Sequence, residues 1–164
     1  MNGQAPYHFG TMTRRPSVRQ FLANDLVLTL LSLTGLAVAG IDGMMLGDLL
    51  FLFSTAILLC LVYRLCYLRS MRFTLTGEQL VYEHGVFHRT CDYMELYRVV
   101  DFREESSLIQ RMLGLKTVMI YSGDRSTPRL DLIGMDKNDN LIPVIRERVT
   151  ANRRKNGIYE ITNR

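Results

Sequence analysis

Two long apolar stretches, separated by only two residues, limit what this chain can fold into more than any other feature. Residues 26–41 carry no charge, and the apolar stretch reaches 21 residues when counted from Phe21. Residues 44–63 carry one charge, Asp48, close to their start. At ~1.5 Å per residue, a helix of about 20 residues spans roughly 30 Å, the thickness of a hydrocarbon core. The sequence therefore predicts a two-helix transmembrane hairpin over residues 21–68.

Two other structures for these stretches fit the sequence less well. Buried helices of a soluble bundle normally show an amphipathic face, whereas here the polar groups are only scattered Ser and Thr. A signal peptide would be followed by a small-residue cleavage site, but a second span follows at once. Asp42 and Asp48 lie near the connecting turn, where we expect interfacial acids that favour the start of the second helix; a proton or cation path is the alternative. Gly35, Gly40 and Gly47 offer small surfaces for close packing within the hairpin or with a partner helix.

Basic residues flank the two spans and predict their orientation. The formal charge of +4 divides into +2 for residues 1–25, −2 for residues 26–63 and +4 for residues 64–164. Lys and Arg concentrate on the cytoplasmic side of membrane helices. We therefore expect a multi-pass protein of the bacterial inner membrane with both termini cytoplasmic, residues 1–20 forming a cytoplasmic segment and 156–164 a tail. The membrane-flanking basic residues are Arg14, Arg15, Arg19, Arg64, Arg69 and Arg72.

After residue 69, short runs of β-forming residues are separated by turn residues. Five to seven such strands predict an antiparallel sheet that is bent into a sandwich or a partly open barrel. The predicted strands are residues 71–76, 79–83, 86–87, 90–96, 99–104, 116–121 and 129–133. A short helix is expected over 106–113, capped by Ser106 or Ser107 and ended by Gly114. A longer helix is expected from 139 or 140 to about 155, with Pro143 in its first turn.

Three segments of this region resemble the bacterial pleckstrin-homology-like family of membrane-flanked domains. They are residues 85–89 (GVFHR), 97–102 (YRVVDF) and 107–118 (SLIQRMLGLKTV). The resemblance covers about residues 70–155 and implies a strongly bent sheet of about seven strands with a C-terminal helix, and no catalysis. Many relatives have Ile-Pro where Leu96-Tyr97 stands here.

No pattern in the sequence indicates an active site, a cofactor or a metal. His84, His88 and Cys91 are three borderline zinc ligands without a fourth, so turn histidines are the expected reading. Residues 136–147 partly match a calcium loop, but Leu141 stands where that loop needs glycine. The acids between the basic residues argue against nucleic acid binding. The three cysteines fit a reducing compartment.

Six basic residues of the domain are candidates for contact with a partner or a lipid. Arg98, Arg103 and Arg111 surround the family-like segment and suit an acidic protein partner or a solvated, salt-bridged face. A strand hairpin that could face lipid phosphates carries three further basic residues on it or beside it, Lys116, Arg125 and Arg129. These residues are the candidates for contact with anionic lipid. We therefore expect a non-catalytic, membrane-anchored module that presents a protein-interaction or oligomerisation surface. The alternatives are an accessory subunit of a membrane transport or export complex, and an anionic-lipid-binding module.

Overall fold

Two long apolar helices precede most of the sheet in the computed structural model, which describes residues 9–40 and 46–157. Helix α1 is Arg19–Ala39 and helix α2 is Gly47–Ser70. Both are long and apolar enough to cross a membrane, and only 11% of each apolar window is buried. Low burial distinguishes them from the core helices of a soluble protein. The predicted helical hairpin is confirmed as a pair of helices; Asp42 lies outside the described residues.

The two helices pack against each other through small residues. The Ser32 hydroxyl donates a hydrogen bond to the Ser54 carbonyl at 3.0 Å, and both residues are buried. A Cβ atom added to Gly35 would lie 2.2 Å from the Ser54 hydroxyl oxygen. The small side chains thus serve the contact between α1 and α2. Leucine, valine and phenylalanine side chains remain exposed around the outside of the pair.

In the described residues, seven strands form two antiparallel sheets around one hydrophobic core, which confirms the predicted fold class. The first sheet has the order β1-β2-β3-β4 and the second the order β5-β6-β7. The strands are β1 Met12–Arg14, β2 Arg72–Leu75, β3 Gln79–His84, β4 Thr90–Glu95, β5 Val99–Glu105, β6 Leu115–Ser122 and β7 Arg129–Asp136. A single 3-10 turn, Leu96–Arg98, connects the two sheets. Alternating side chains of both sheets fill the core, as the period of two along a strand requires.

Strand β1 comes from the chain before the hairpin. Thr13 pairs with Thr74 of β2, so the first sheet contains residues from both sides of the two long helices. The hairpin is therefore an insertion between the first and second strands of the domain. Residues 1–20 are predicted above as a cytoplasmic N-terminal segment outside the domain, whereas Met12–Arg14 belong to the first sheet of the domain.

Two further helices complete the domain. Helix α3, Leu108–Met112, begins with a capping box in which Ser107 and Gln110 exchange side-chain-to-backbone hydrogen bonds. Helix α4, Leu141–Lys155, buries Leu141, Ile145 and Val149 against the core. Residues 86–87, predicted as a strand, lie instead in the turn between β3 and β4.

The guanidinium of Arg148 on α4 ties separate parts of the chain together. It donates hydrogen bonds to the backbone carbonyls of Leu75, Thr76 and Gly10 at 2.8–3.0 Å. Burial lowers the pKa of Arg148 from its ordinary value. The bond to Gly10 holds the segment before β1 on the same body as the sheet.

The first turn of α1 is bonded into the domain. The Ser17 amide donates to the Gly134 carbonyl at 2.9 Å, and the buried Gln20 accepts a hydrogen bond from Gln110 at 2.9 Å. The Arg19 guanidinium donates to the Leu113 carbonyl at 3.0 Å. We call this contact the hairpin joint, defined by Ser17, Arg19, Gln20, Gln110 and Gly134. These three hydrogen bonds fix the start of α1 against β7 and the α3 region, so no flexible linker separates this helix from the domain.

Candidate functional site

The basic residues predicted to contact a partner lie at different places in the fold. Arg98 lies in the 3-10 turn, where it pairs with Asp124 at 3.2 Å and donates to the Tyr97 hydroxyl at 2.9 Å. The Tyr97 contact is the main cause that raises the pKa of Arg98. Arg103, on β5, pairs with Glu105 at 2.8 Å. Arg111, on α3, is exposed and makes no ion pair within the described part of the chain.

The three residues considered for lipid contact are not equally available. Lys116 has only 8% of its side chain exposed, and its ammonium binds Glu104 at 2.8 Å. Arg129 is held by both carboxylate oxygens of Asp131 at 2.6 and 2.7 Å, which raises its pKa. Arg125 alone of these three is an exposed side chain without an ion pair among the described residues. Of these three side chains, Arg125 is therefore the most available to a phosphate group.

A groove of about 440 Å³ lies beside Arg129, between the two sheets. Its lining includes Tyr82 and Asp92 from the first sheet and Arg129 and Asp131 from the second. Burial, with the nearby Tyr67, Asp92 and Asp131, raises the pKa of Tyr82 above its ordinary value. The same acids repel a phosphate, and Asp131 already neutralises Arg129. The groove is therefore poorly suited to an anionic headgroup.

The turn between β6 and β7 adds a further negative charge. Hydrogen bonds from Ser126, first from its backbone amide, hold the pKa of Asp124 below its ordinary value. Asp124 is thus ionised at neutral pH and shares this turn with Arg125. The turn therefore carries charges of both signs.

An exposed apolar group lies on α3, next to the hairpin joint. Leu108 and Met112 leave 73% and 80% of their surface exposed, and Ile109 is 38% exposed. Arg111 projects from the same short helix. We call Leu108, Ile109, Arg111 and Met112 the α3 surface. Methionine and arginine around an apolar patch are typical of protein interfaces.

Three of the membrane-flanking arginines make ion pairs at the domain end of the hairpin. Arg14 pairs with Asp139, Arg19 pairs with Asp136, and Arg64 of α2 pairs with the buried Asp25 of α1 at 2.6 Å. Arg15 and Arg69 are exposed and Arg72 is half-buried. The acids Asp136 and Asp139, considered above for a calcium loop, are thus engaged by arginines.

A pocket of about 410 Å³ opens where the two helices meet the domain. Asp25 and Arg64 line it on the helix side, with Tyr63 and Tyr67 of α2, and Ile133 of β7 lines the domain side. The Asp25 and Arg64 charges are the first that α1 and α2 carry next to their apolar stretches at this end. The apolar surface of the hairpin therefore ends at Asp25 and Arg64.

The histidines considered as metal ligands have other surroundings. The two ring nitrogens of His84 face the Tyr67 hydroxyl at 3.0 Å and the Asp92 carboxylate at 3.2 Å. His88 is exposed in the β3–β4 turn, and Cys91 is exposed near the start of β4. In residues 9–40 and 46–157, no three His, Cys, Asp or Glu side chains come together as a metal site.

Sequence reasoning missed the residues of the hairpin joint. Gln20 and Gln110 each look like ordinary polar helix residues, and their contact spans 90 positions. A local sign was nevertheless present, since Gln110 follows Ser107 at the spacing of a capping box. Gly134 was a second local indication, because a glycine inside a strand often occurs where another segment approaches the backbone closely.

Comparison with known proteins agrees with this architecture. Residues 25–149, more than half of the chain, match the family described as Bacterial PH domain. No curated protein and no solved structure gives a significant match. A match to this family suggests a protein- or lipid-interaction module, and PH domains are typically non-catalytic. The chain belongs to the bacterial PH domain family.

Proposed function

We propose that this chain is a non-catalytic, membrane-anchored PH module. Its hairpin, residues 21–68, crosses the bacterial inner membrane twice with both termini cytoplasmic. Its domain, residues 70–155 together with β1, presents the α3 surface to a protein partner at the membrane. The partner is either a different protein or a second copy of this chain.

The observation that carries the proposal is the apolar outer surface of α1 and α2. Both helices have 11% burial in their most apolar windows, so the side chains that would fill a core in a soluble protein face outward. A bilayer is the solvent in which such a surface is stable. Arg15 and Arg69 are exposed at the domain end, which supports placing that end at the cytoplasmic leaflet.

The hairpin joint supports a surface with a fixed orientation. Bonds from Ser17 and Gln20 hold the start of α1 against β7 and α3. The α3 surface is therefore held at a constant distance from the membrane, beside the first turn of α1. Confinement to the membrane raises the effective concentration of such a surface for a neighbouring protein, so a small apolar patch is enough.

The other functions are less well supported by the site. A phosphate group in the groove beside Arg129 would meet Asp92 and Asp131, and Asp124 adds a negative charge in the adjoining β6–β7 turn. Among the glycines that suggested a partner helix, Gly35 already packs against Ser54 within the hairpin, where the Ser32 hydroxyl also donates to the Ser54 carbonyl. We therefore favour the protein-interaction role over the lipid-binding and accessory-subunit roles.

Site-specific photocrosslinking in cells tests this proposal. A photoreactive amino acid placed at Met112 should give a discrete protein adduct that the additional change Leu108→Glu abolishes. The same amino acid at Ser126, exposed on the β6–β7 turn, serves as the control and should give no such adduct. Adducts to lipid alone at Met112, or identical adducts at both positions, would contradict the proposal.

A chimera separates the hairpin from the domain. Residues 26–63 are replaced by an unrelated apolar hairpin, while Asp25, Arg64 and the hairpin joint are kept. We expect the Met112 adduct to persist in this chimera, because the α3 surface is unchanged. Loss of the adduct would instead favour an accessory subunit that is recognised through its membrane helices.

A further inference from the structure

The turn between β3 and β4, residues 85–89, carries an aromatic side chain that points away from the domain. Phe87 leaves 92% of its surface exposed, and Val86 beside it is 38% exposed. Gly85 has φ +111°, and a Cβ atom there would lie 1.8 Å from the His88 carbonyl oxygen. Only glycine fits this position, so the observed turn depends on Gly85.

The topology directs this turn toward the hairpin. Strand β2 begins two residues after α2 ends, and β3 returns antiparallel to it. The end of β3 therefore runs back along α2, where the His84 ring meets the Tyr67 hydroxyl at 3.0 Å. Beyond it, the Phe87 ring lies parallel to the Tyr63 ring, with their centroids 6.1 Å apart.

Tyr63 marks the edge of the apolar surface of the hairpin. It precedes Arg64, whose guanidinium pairs with Asp25. At ~1.5 Å per residue, Tyr63 lies about 24 Å along α2 from Gly47, close to the roughly 30 Å of a hydrocarbon core. Tyrosine rings are enriched at this boundary in membrane proteins. Phe87 stands at the same level as Tyr63.

We infer that the β3–β4 turn is a third contact with the bilayer, in which Phe87 and Val86 enter the boundary between headgroups and acyl chains. This inference rests on the proposed membrane insertion of α1 and α2. The apolar tip of the turn is continuous with the apolar surface of α2 through Tyr63, so lipid is the partner that fits it. Arg89 follows the tip, where a cationic side chain meets the phosphates. We call Val86 and Phe87 in this contact the wedge; it belongs to the first sheet, whereas the hairpin joint involves β7 of the second sheet and α3.

Tryptophan fluorescence tests the inference, because the chain contains no tryptophan. Full-length Phe87→Trp is reconstituted into vesicles of phosphatidylcholine and phosphatidylglycerol, with bromine on the acyl chain near the headgroup or near the terminal methyl. Leu59→Trp on α2 reports on the hairpin. Glu78→Trp, in the turn at the other end of β3, is the control; six strand residues place it about 20 Å from residue 85.

Three results are informative. We expect bromine near the headgroup to quench the fluorescence of Phe87→Trp, which should also emit at shorter wavelength than Glu78→Trp. Bromine deeper along the lipid acyl chain should quench Leu59→Trp. Quenching of Leu59→Trp, with Phe87→Trp no more quenched than Glu78→Trp, would overturn the wedge and leave the membrane hairpin intact. If bromine quenches neither Leu59→Trp nor Phe87→Trp, the proposed membrane insertion of the hairpin is refuted, and the inferred wedge is refuted with it.

Discussion

Replacing Gly134 with alanine tests whether the hairpin and the domain share one packed joint. Gly134 lies in β7 with φ +64°, and its carbonyl accepts the hydrogen bond from the Ser17 amide. A Cβ atom there would lie 2.8 Å from Cβ and 3.1 Å from Cγ of Gln20. The added methyl group therefore pushes directly on the first turn of α1.

The magnitude follows from two separate costs. An alanine in the left-handed region costs about 1 kcal/mol of folding free energy, and overpacking of a buried contact costs about 1–3 kcal/mol. Gly134→Ala should thus destabilise the protein by about 2–4 kcal/mol. Gly114→Ala is a matched control, because Gly114 has φ +68° but nothing within 4 Å of its Cβ position. Gly114→Ala should therefore be destabilised only by the cost of an alanine in the left-handed region.

Two measurements on the detergent-solubilised protein check this difference. Urea unfolding gives the free energy of unfolding of each variant, and hydrogen exchange reports on residues 17–21. We expect exchange there to become roughly ten-fold faster or more in Gly134→Ala, since each 1.4 kcal/mol is about a factor of ten. Equal losses of stability in the two variants, with unchanged exchange at residues 17–21, would refute the packed joint.

The same structural reasoning gives three further predictions. Gln110→Ala removes three side-chain hydrogen bonds and should lower the free energy of unfolding by about 2–3 kcal/mol, whereas the exposed Arg111→Ala should leave it unchanged in the same urea experiment. Gly35→Leu should separate α1 from α2 and lower the thermal unfolding temperature in detergent more than Gly40→Leu, because the Cβ position of Gly40 has no atom nearer than 3.6 Å. The raised pKa of Tyr82 means that the unfolded chain ionises first, so stability should fall as pH rises above about 10; urea unfolding of Tyr82→Phe should show a smaller fall.

Local patterns predicted most of the helices and strands. The long apolar stretches, the alternation along β2 to β7 and the cap at Ser107 are properties of neighbouring residues. Strand β1 lacks such a signal, because Met12–Arg14 is three residues long and pairs with residues about sixty positions later. A strand this short is defined by its partner, and the partner cannot be read from local periodicity.

The sequence also could not show which charged side chains are free to contact a partner. Lys116 reads as a surface lysine at the start of a strand, yet the structure buries it beside Glu104 of the neighbouring strand. Its environment depends on the register between β5 and β6, which a bulge at Val100 shifts. Phe87 was assigned to a strand for its β propensity, whereas Gly85 directs the chain into a turn there.

Labelling with a membrane-impermeant maleimide in bacterial spheroplasts tests the membrane-anchored arrangement most directly. With Cys60 and Cys66 changed to serine, the exposed Cys91 reports on the domain; Gly43→Cys in a cysteine-free chain reports on the predicted connecting turn. We predict labelling of Gly43→Cys in intact spheroplasts and of Cys91 only after permeabilisation. Labelling of Cys91 in intact spheroplasts, or release of the protein from membranes by an alkaline wash, would contradict a cytoplasmic PH domain anchored by a transmembrane hairpin.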